Sequence, residues 1–252
     1  MLGKHYIVTG GTSGLGLEIT RQLIKKGAHV SILARNKEKY KQINFKPFEK
    51  RVQMLTCDLQ DKNAISMLPQ YIDTQIDGII YSAGLGYFKS ISQHSTNEML
   101  ETYEVNIIGF NLLLHALLPY LSKHASIVGI SSQAAFISQA NAAHYGASKA
   151  AFNAVLNALR LEQPSYHVML VHPGPVRTPF HEKADPSLAY AHKYDAMMLD
   201  PTLLAKDIID GIIKRKCEIN QPKWMHSALK FYQLCPRFLE SLFHFYLKTN
   251  SK

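Results

Sequence analysis

The stretch from residue 4 to residue 16, KHYIVTGGTSGLG, decides the fold of this 252-residue chain. It opens with a short apolar run that ends at Thr9, and a cluster of glycines follows at once. Apolar residues then recur at helical spacing, at Leu15, Ile19 and Leu23. The pattern predicts a strand, a tight glycine turn and an amphipathic helix, in that order.

Strands and helices alternate along the rest of the chain. Apolar segments at 28–34, 52–57, 78–82, 126–131 and 167–172 predict five more strands, and helical patterns occupy 36–42, 62–72, 96–121, 143–163 and 202–214. Strands that are apolar throughout need cover on both faces, which alternating helices supply in a parallel sheet. We therefore predict an α/β fold: a single-domain, doubly wound parallel sheet, or Rossmann fold, with helices on both faces.

The composition excludes several other classes of protein. A hydrophobic content of 46% and a charged content of 19% suit one compact domain rather than a disordered chain. The three cysteines, Cys57, Cys217 and Cys235, form no CxxC pair, so neither a disulfide framework nor a metal site is expected. The first residues contain no long apolar run typical of an export signal. These features together predict a reducing, cytoplasmic location.

The net charge of +9 raises the question of anionic partners, because a basic surface attracts phosphates, nucleic acids and acidic lipids alike. The lysines and arginines are scattered along the chain, and no nucleic-acid-binding motif accompanies them. We therefore expect most of them to lie on solvated helix faces, and we expect no nucleic-acid partner.

The glycine cluster lies where a parallel sheet binds ligands, beyond the carboxyl end of a strand. Gly10, Gly14 and Gly16 stand where a tight turn, close approach to a pyrophosphate and close helix packing each exclude a Cβ. The start of the following helix offers unpaired N–H groups to a phosphate. A glycine triplet also occurs in ordinary turns, but its place between a strand and a helix favours a nucleotide site.

The end of the second predicted strand bears on which dinucleotide is bound. An acidic residue there would bind the ribose 2′-OH of NAD, but the strand ends Leu33-Ala34-Arg35-Asn36. Arg35 instead places a guanidinium where a 2′-phosphate would lie, and Ser13 offers a hydroxyl donor. The pattern favours NADP(H) as the cofactor, and the alternative is that Arg35 only faces water.

A tyrosine and a lysine stand four residues apart in the segment YGASK, so a helix would place them on one face. The phenol of Tyr145 is a useful acid or base only if a nearby cation favours its ionised form, and Lys149 is a candidate for that cation. Ser132 follows the fifth predicted strand, where its hydroxyl would reach a substrate carbonyl. A Tyr and a Lys at this spacing are, taken alone, common surface neighbours.

The segments GGTSGLG, YSAG, ISS, YGASK and HPGPVRTPF occur in the order and spacing of the short-chain dehydrogenase/reductase family, which residues 4–216 resemble. The resemblance implies an NADPH-preferring carbonyl reductase in which Tyr145 donates and accepts the proton. It further implies that Lys149 lowers the pKa of Tyr145 and holds the nicotinamide ribose. Ser132 would anchor the carbonyl, and Asn106 would support a water-linked proton relay.

The same resemblance implies a set of cofactor-binding residues. This set consists of Gly10, Thr12, Ser13, Gly14, Leu15, Gly16, Arg35, Asp58, Leu59, Ala83, Gly84, Tyr145, Lys149, Pro173, Gly174, Val176 and Thr178. Within it, Asp58 would contact the adenine, and Val176 and Thr178 the nicotinamide end. Ser82 departs from the family, which usually has an asparagine at this place, and this leaves the side-chain bonds of the 82–84 turn in question.

The long loop between residues 178 and 200 mixes aromatic, methionine and charged side chains, which is typical of a mobile lid over a substrate. Phe88, Phe136 and Ile137 are candidates for the same apolar pocket, although they are equally well explained as core residues. An apolar pocket favours a hydrophobic ketone or aldehyde, or an acyl chain, over a sugar.

Residues 217–252 form a predicted C-terminal amphipathic helical extension beyond a catalytic domain of residues 1–216. Pro236 divides this extension into two short helices, and its aromatic and basic residues suit a segment lying on a membrane surface. Arg237 and Glu240 argue against a membrane span. The favoured alternatives are packing on its own domain, cover over the active site and a subunit interface.

Two classes of function are consistent with this sequence. The first is an oxidoreductase that transfers a hydride between NADP(H) and the carbonyl or alcohol group of a small, hydrophobic molecule. The second is a non-catalytic NADP(H)-binding redox sensor or scaffold, since a cofactor loop does not by itself establish catalysis. A sensor needs the glycines but not Tyr145, so the complete catalytic set favours the enzyme. The family resemblance also predicts a homodimer or homotetramer.

Overall fold

A computed structural model describes the backbone of residues 1–249 and the side chains through Leu242. Seven parallel strands form one sheet in the order β3-β2-β1-β4-β5-β6-β7. The strands are β1 His5–Thr9, β2 His29–Ala34, β3 Val52–Thr56, β4 Ile76–Tyr81, β5 Leu121–Ile130, β6 His167–Pro173 and β7 Glu218–Gln221. The predicted doubly wound α/β fold is confirmed.

Helices cover both faces of the sheet and bury two separate cores. On one face, α1 and α9 pack against the sheet with Ile19 and Ile208 in the core. On the other face, Phe110 of α5 and Phe152 of α6 are buried. The helices are α1 Gly14–Lys25, α2 Lys37–Lys41, α3 Lys62–Met67, α4 Thr96–Tyr103, α5 Gly109–Leu117, α6 Ala143–Glu162, α7 Phe180–Ala184, α8 Ala189–Tyr194, α9 Pro201–Ile213, α10 Lys223–Leu234 and α11 Pro236–Thr249.

The helix predicted over 96–121 is interrupted in the structure. A π-helical turn, Glu104–Ile108, separates α4 from α5, and α5 ends at Leu117, just before Pro119. A π turn inserts one residue into a helix without breaking its apolar pattern, so periodicity does not reveal it. The inserted turn carries Asn106, one of the predicted catalytic residues.

The segment from residue 217 onward differs from the predicted helical extension at its start. Residues 218–221 form β7, the edge strand of the sheet, where Ile219 alone is buried. A strand with one buried apolar residue has no alternation for sequence analysis to detect. Two helices, α10 and α11, then follow as predicted, and residues 250–252 lie outside the described part of the chain. No helix within residues 1–249 is long and apolar enough to cross a membrane.

Candidate active site

A cleft of about 880 Å³ lies along the carboxyl ends of the strands, next to the point where the strand order reverses between β1 and β4. Every predicted cofactor-binding residue lines this cleft, from Gly10 to Thr178. Ser132, Tyr145 and Lys149 line it as well. The structure therefore brings residues from six separate loops into one site, at the position where open α/β sheets bind ligands.

The glycine loop has no room for side chains. Gly10 has a φ of +67°, and a Cβ there would lie 3.1 Å from the backbone nitrogen of Ala83. A Cβ on Gly16 would lie 2.5 Å from the carbonyl oxygen of Gly10. The bare backbone at the start of α1 is thus a cradle that fits a pyrophosphate, whose charge the helix N-terminus favours.

Thr9 is a functional residue that the sequence analysis missed. Its Oγ1 accepts hydrogen bonds from the backbone nitrogens of Ser82, at 3.0 Å, and Ala83, at 2.9 Å. These bonds join the end of β1 to the turn after β4. They also answer the question raised by Ser82, because Thr9 and not residue 82 holds the turn. The signal that could have identified Thr9 is a polar residue at the end of an apolar strand.

The adenosine end of the cleft is open and basic. The Arg35 guanidinium lies 3.7 Å from the Asp58 carboxylate, and its side chain is 58% exposed. Ser13 and Lys39 line the same end. A loosely paired, exposed arginine is free to contact a phosphate, so the residues present fit a dinucleotide with a phosphorylated ribose.

Tyr145 and Ser132 meet on the substrate side of the cleft. Ser132 Oγ accepts a hydrogen bond from the backbone nitrogen of Ala134, at 3.1 Å. Burial raises the pKa of Tyr145 to about 12, although the nearby Ser132 hydroxyl acts in the opposite direction. The phenol is therefore protonated at neutral pH.

Lys149 is buried beneath the cleft one helical turn beyond Tyr145. Its Nζ donates a hydrogen bond to the carbonyl oxygen of Ile130, at 2.8 Å, and lies 5.9 Å from the centre of the Tyr145 ring. Burial lowers the pKa of Lys149 to about 8, so the group is mainly a cation at neutral pH. The expected lowering of the Tyr145 pKa by Lys149 is not seen in this state, because burial of the phenol dominates.

Asn106 lies behind the wall of the cleft rather than on its surface. Its Nδ2 donates to the carbonyl oxygen of Leu85, at 2.8 Å, and to Ser148 Oγ, at 2.9 Å. Its Oδ1 accepts from the nitrogen of Leu85, at 3.0 Å. A Cβ on Gly84 would lie 3.3 Å from that oxygen and 3.2 Å from Lys149 Nζ. The side chain of Asn106 therefore positions the turn after β4 against α6.

Aromatic rings wall the substrate side. Phe88 packs on Tyr145 with ring centres 5.8 Å apart and on Tyr190 at 4.6 Å, and Phe180 contacts Tyr145 at 5.6 Å. Phe88 and Ile137 line the cleft as predicted. Phe136 is not among the lining residues, because its ring packs between those of His172 and His226.

Two further lining residues come from the C-terminal extension. Met225 and Leu229 lie four residues apart on one face of α10 and close the cleft from above. The Gln133 side chain, next to Ser132, donates a hydrogen bond to the carbonyl oxygen of Pro222, at 3.1 Å. The extension thus lies over the cleft, and cover over the active site was one of the alternatives left open by the sequence. The loop over 178–200 contributes its cover as two short helices, α7 and α8.

Known proteins resemble this chain in sequence. The sequence model described as short chain dehydrogenase matches residues 4–189. A 3-dehydrosphinganine reductase of Arabidopsis thaliana is 31% identical over 229 residues, which cover 83% of this chain and 68% of the relative.

Solved structures share the fold. A short-chain dehydrogenase/reductase of Burkholderia phymatum, in complex with NAD, has a TM-score of 0.82 at 17% identity and covers 91% of this chain and 92% of its own. A short-chain dehydrogenase of Shigella flexneri, complexed with NADP, has a TM-score of 0.72 at 27% identity and covers 81% of this chain and 90% of its own.

The chain belongs to the short-chain dehydrogenase/reductase family. The family is one of oxidoreductases that use a nicotinamide dinucleotide.

Proposed function

We propose that this protein is an NADP(H)-dependent reductase of a carbonyl group carried on a long apolar molecule, with Tyr145 as general acid. One observation carries the proposal. The Tyr145 hydroxyl, protonated at neutral pH, lies beside Ser132 on a cleft whose substrate side carries the aromatic rings of Phe88, Phe180 and Tyr190. Such a site donates a proton to a ketone or aldehyde oxygen and excludes water around it.

The choice of NADP(H) rests on the adenosine end of the cleft. Arg35 follows β2 directly, where an acidic residue would bind the free ribose hydroxyl of NAD and repel a phosphate. Lys39 and Ser13 add a second cation and a hydroxyl at the same end. Three donors around an open space suit a 2′-phosphate, since guanidinium and ammonium groups bind phosphate oxygens with charge-assisted hydrogen bonds.

The proposed substrate class rests on the other end of the cleft. Phe88, Phe180 and Tyr190 form one wall, and Met225 and Leu229 form the cover. Apolar surface of this kind binds alkyl chains and offers a sugar few partners. The relative from Arabidopsis thaliana is described as acting on 3-dehydrosphinganine, a ketone on a long alkyl chain. A related ketone is the substrate class that this cleft favours.

The residues of the chain divide the work of reduction. A bound reduced nicotinamide supplies the hydride for the carbonyl carbon. Ser132 donates a hydrogen bond to the carbonyl oxygen, and Tyr145 transfers its proton to the same oxygen as negative charge develops there. The Lys149 cation, held by Ile130, stabilises the phenolate that this transfer leaves. Asn106 acts through Leu85 and Ser148, by fixing the turn and the helix that carry these groups.

The experiment that tests the proposal is NADPH oxidation by the purified protein with a panel of ketones and aldehydes of increasing chain length. We expect Tyr145→Phe to lower turnover by roughly 10² to 10⁴, which is the usual contribution of general acid catalysis, and to leave NADPH affinity unchanged. The matched control is Tyr103→Phe, because Tyr103 contacts His144 next to the site but does not line the cleft.

Each outcome separates the two classes of function. Turnover that survives Tyr145→Phe contradicts the assigned proton donor. NADPH binding without turnover across the panel favours the alternative, a redox sensor or scaffold. The predicted cytoplasmic location and the predicted homodimer or homotetramer stay predictions from the sequence.

A further inference from the structure

The two C-terminal helices expose large apolar side chains to solvent. The exposed set consists of Trp224, Phe231 and Leu234 in α10 and of Phe238 and Leu242 in α11, each between 54% and 79% exposed. Isolated apolar residues on a surface are ordinary, but five in nineteen residues are not. These five residues, the outer apolar set, therefore indicate a surface that binds a partner.

The two faces of α10 have different tasks. Trp224, Phe231 and Leu234 share one face of the helix by their spacing of seven and three residues. Met225 and Leu229, on another face, line the cleft. One helix thus has one apolar face over the substrate and another facing outward. A partner that binds the outer face lies within a helix diameter, roughly 10 Å, of the cleft.

The charge of this segment points to the nature of the partner. Residues 222–252 contain five Lys or Arg and a single Glu. Lys223 is exposed next to Trp224, whereas the Lys230 ammonium lies 4.8 Å over the Phe136 ring and the 85% exposed Arg237 pairs with Glu240. Apolar and aromatic side chains bordered by cations are typical of a helix that lies in the surface of an anionic lipid bilayer. A symmetric contact between two copies would instead bring these cations together.

We propose that α10 and α11 dock on an anionic lipid surface through the outer apolar set and hold the mouth of the cleft against the lipid, so that a long-chain ketone enters from the bilayer. The substrate part of this inference rests on the proposed function, whereas lipid docking does not. Lys223 contacts the lipid headgroups, and Trp224, Phe231 and Leu234 enter the upper acyl region.

Trp224 is the only tryptophan of the sequence, so its fluorescence reports on this surface directly. The full chain is mixed with vesicles of phosphatidylcholine alone or of phosphatidylcholine with phosphatidylserine. We expect the emission of Trp224 to shift to the blue with the anionic vesicles and to be quenched by brominated acyl chains. Lys223→Gln lowers the partition coefficient about fivefold, because one cation near an anionic surface contributes about that factor.

The second arm removes apolar surface. Phe231→Ser combined with Leu234→Ser lowers partitioning at least about tenfold, since each side chain loses burial in lipid. The matched control is Leu161→Ser combined with Leu203→Ser, two side chains that are equally exposed but lie on α6 and α9. Equal binding by the two double variants, or no shift with anionic vesicles, overturns the proposal. A blue shift without lipid that grows with protein concentration also overturns it and indicates a second copy.

The third arm separates docking from catalysis. We expect the Phe231→Ser and Leu234→Ser variant to lose reduction of a long-chain ketone held in vesicles and to keep reduction of a short, water-soluble ketone. Equal loss of both activities overturns the role of docking in substrate entry. Vesicle binding with no reduction of any ketone contradicts the proposed function alone and leaves lipid docking supported.

Discussion

The two sides of the cleft are built in opposite ways. The cofactor wall, made of residues 9–16 with Arg35, Asp58 and the 82–86 turn, is held by close packing of bare backbone at the glycines and by hydrogen bonds from backbone nitrogens to the Thr9 side chain. The substrate cover, made of α7, α8 and α10, is anchored lightly, and neither α8 nor α10 contains a buried residue.

The difference follows from what each side binds. A dinucleotide has one shape, so close backbone contacts around it are an advantage and each glycine is fixed by sterics. The substrate proposed above has a flexible, apolar chain, for which a cover of half-exposed side chains is sufficient. Substitutions in the cofactor wall should therefore have large, specific effects, whereas substitutions in the cover should have small, graded ones.

The largest effect is expected at Gly16. In Gly16→Ala the new Cβ meets the carbonyl oxygen of Gly10 at 2.5 Å, so backbone must move. We expect NADPH binding, measured by fluorescence titration, to be lost and the free energy of unfolding to fall by about 1–3 kcal/mol. The control is Gly3→Ala, where φ is +71° but no atom lies within 4 Å of the Cβ. Normal NADPH affinity in Gly16→Ala would show that the wall is not rigid.

The second prediction concerns Arg35. Arg35→Ala removes a charge-assisted bond to the 2′-phosphate, so we expect NADPH affinity to fall about tenfold to a hundredfold and NADH affinity to stay the same. The two dissociation constants are measured side by side by calorimetry. The matched control is Arg177→Ala, an equally exposed arginine that pairs with Asp195 outside the cleft. An equal loss for both cofactors would refute the phosphate role and leave Arg35 as the partner of Asp58.

A third prediction concerns the buried cation Lys149. The pKa of Lys149 falls from 10.5 to about 8 on burial, so between these pH values the unfolded chain binds a proton that the folded chain has released. Stability then rises with pH in this window, by up to about 1.4 kcal/mol per pH unit. Lys149→Met removes this contribution. We expect denaturant unfolding to show that, from pH 8 upward, the free energy of unfolding of the wild type rises relative to that of the variant. Turnover is lost in the variant.

Parallel behaviour of the two proteins across that pH range would contradict the lowered pKa of Lys149. Arg160→Met is a suitable control, because Arg160 is also on α6 and bonds backbone carbonyls but is an arginine that keeps its charge throughout.

The same contrast explains how much the sequence revealed. Glycines at fixed spacing and Arg35 after β2 follow from local chemistry, whereas the Tyr145 and Lys149 pair was assigned from the family resemblance, and all of them line the cleft. Asn106 was expected in a proton relay, but its position depends on a π turn that apolar periodicity does not show. Thr9 binds residues more than seventy positions away, which local reasoning does not reach.

The cover was least predictable. Met225 and Leu229 belong to a helix whose several faces carry apolar residues, so the pattern alone does not say which face lies over the cleft. Phe136 was a candidate for the pocket or for the core, and its ring packs on His172 and His226. The positions of these side chains depend on how α10 packs against the rest of the domain. Contacts between residues that are distant in sequence determine that packing.

The smallest effect is expected in the cover itself. Leu229→Ala removes apolar surface from one side of the substrate, so we expect the KM for a long-chain ketone to rise about fivefold, with kcat and NADPH affinity little changed. The KM for a short ketone should stay the same, because a short chain does not reach α10. The control is Leu161→Ala, an exposed leucine on α6. If Leu229→Ala weakened NADPH binding as well, α10 would take part in cofactor binding. The contrast between the cofactor wall and the substrate cover would then be wrong.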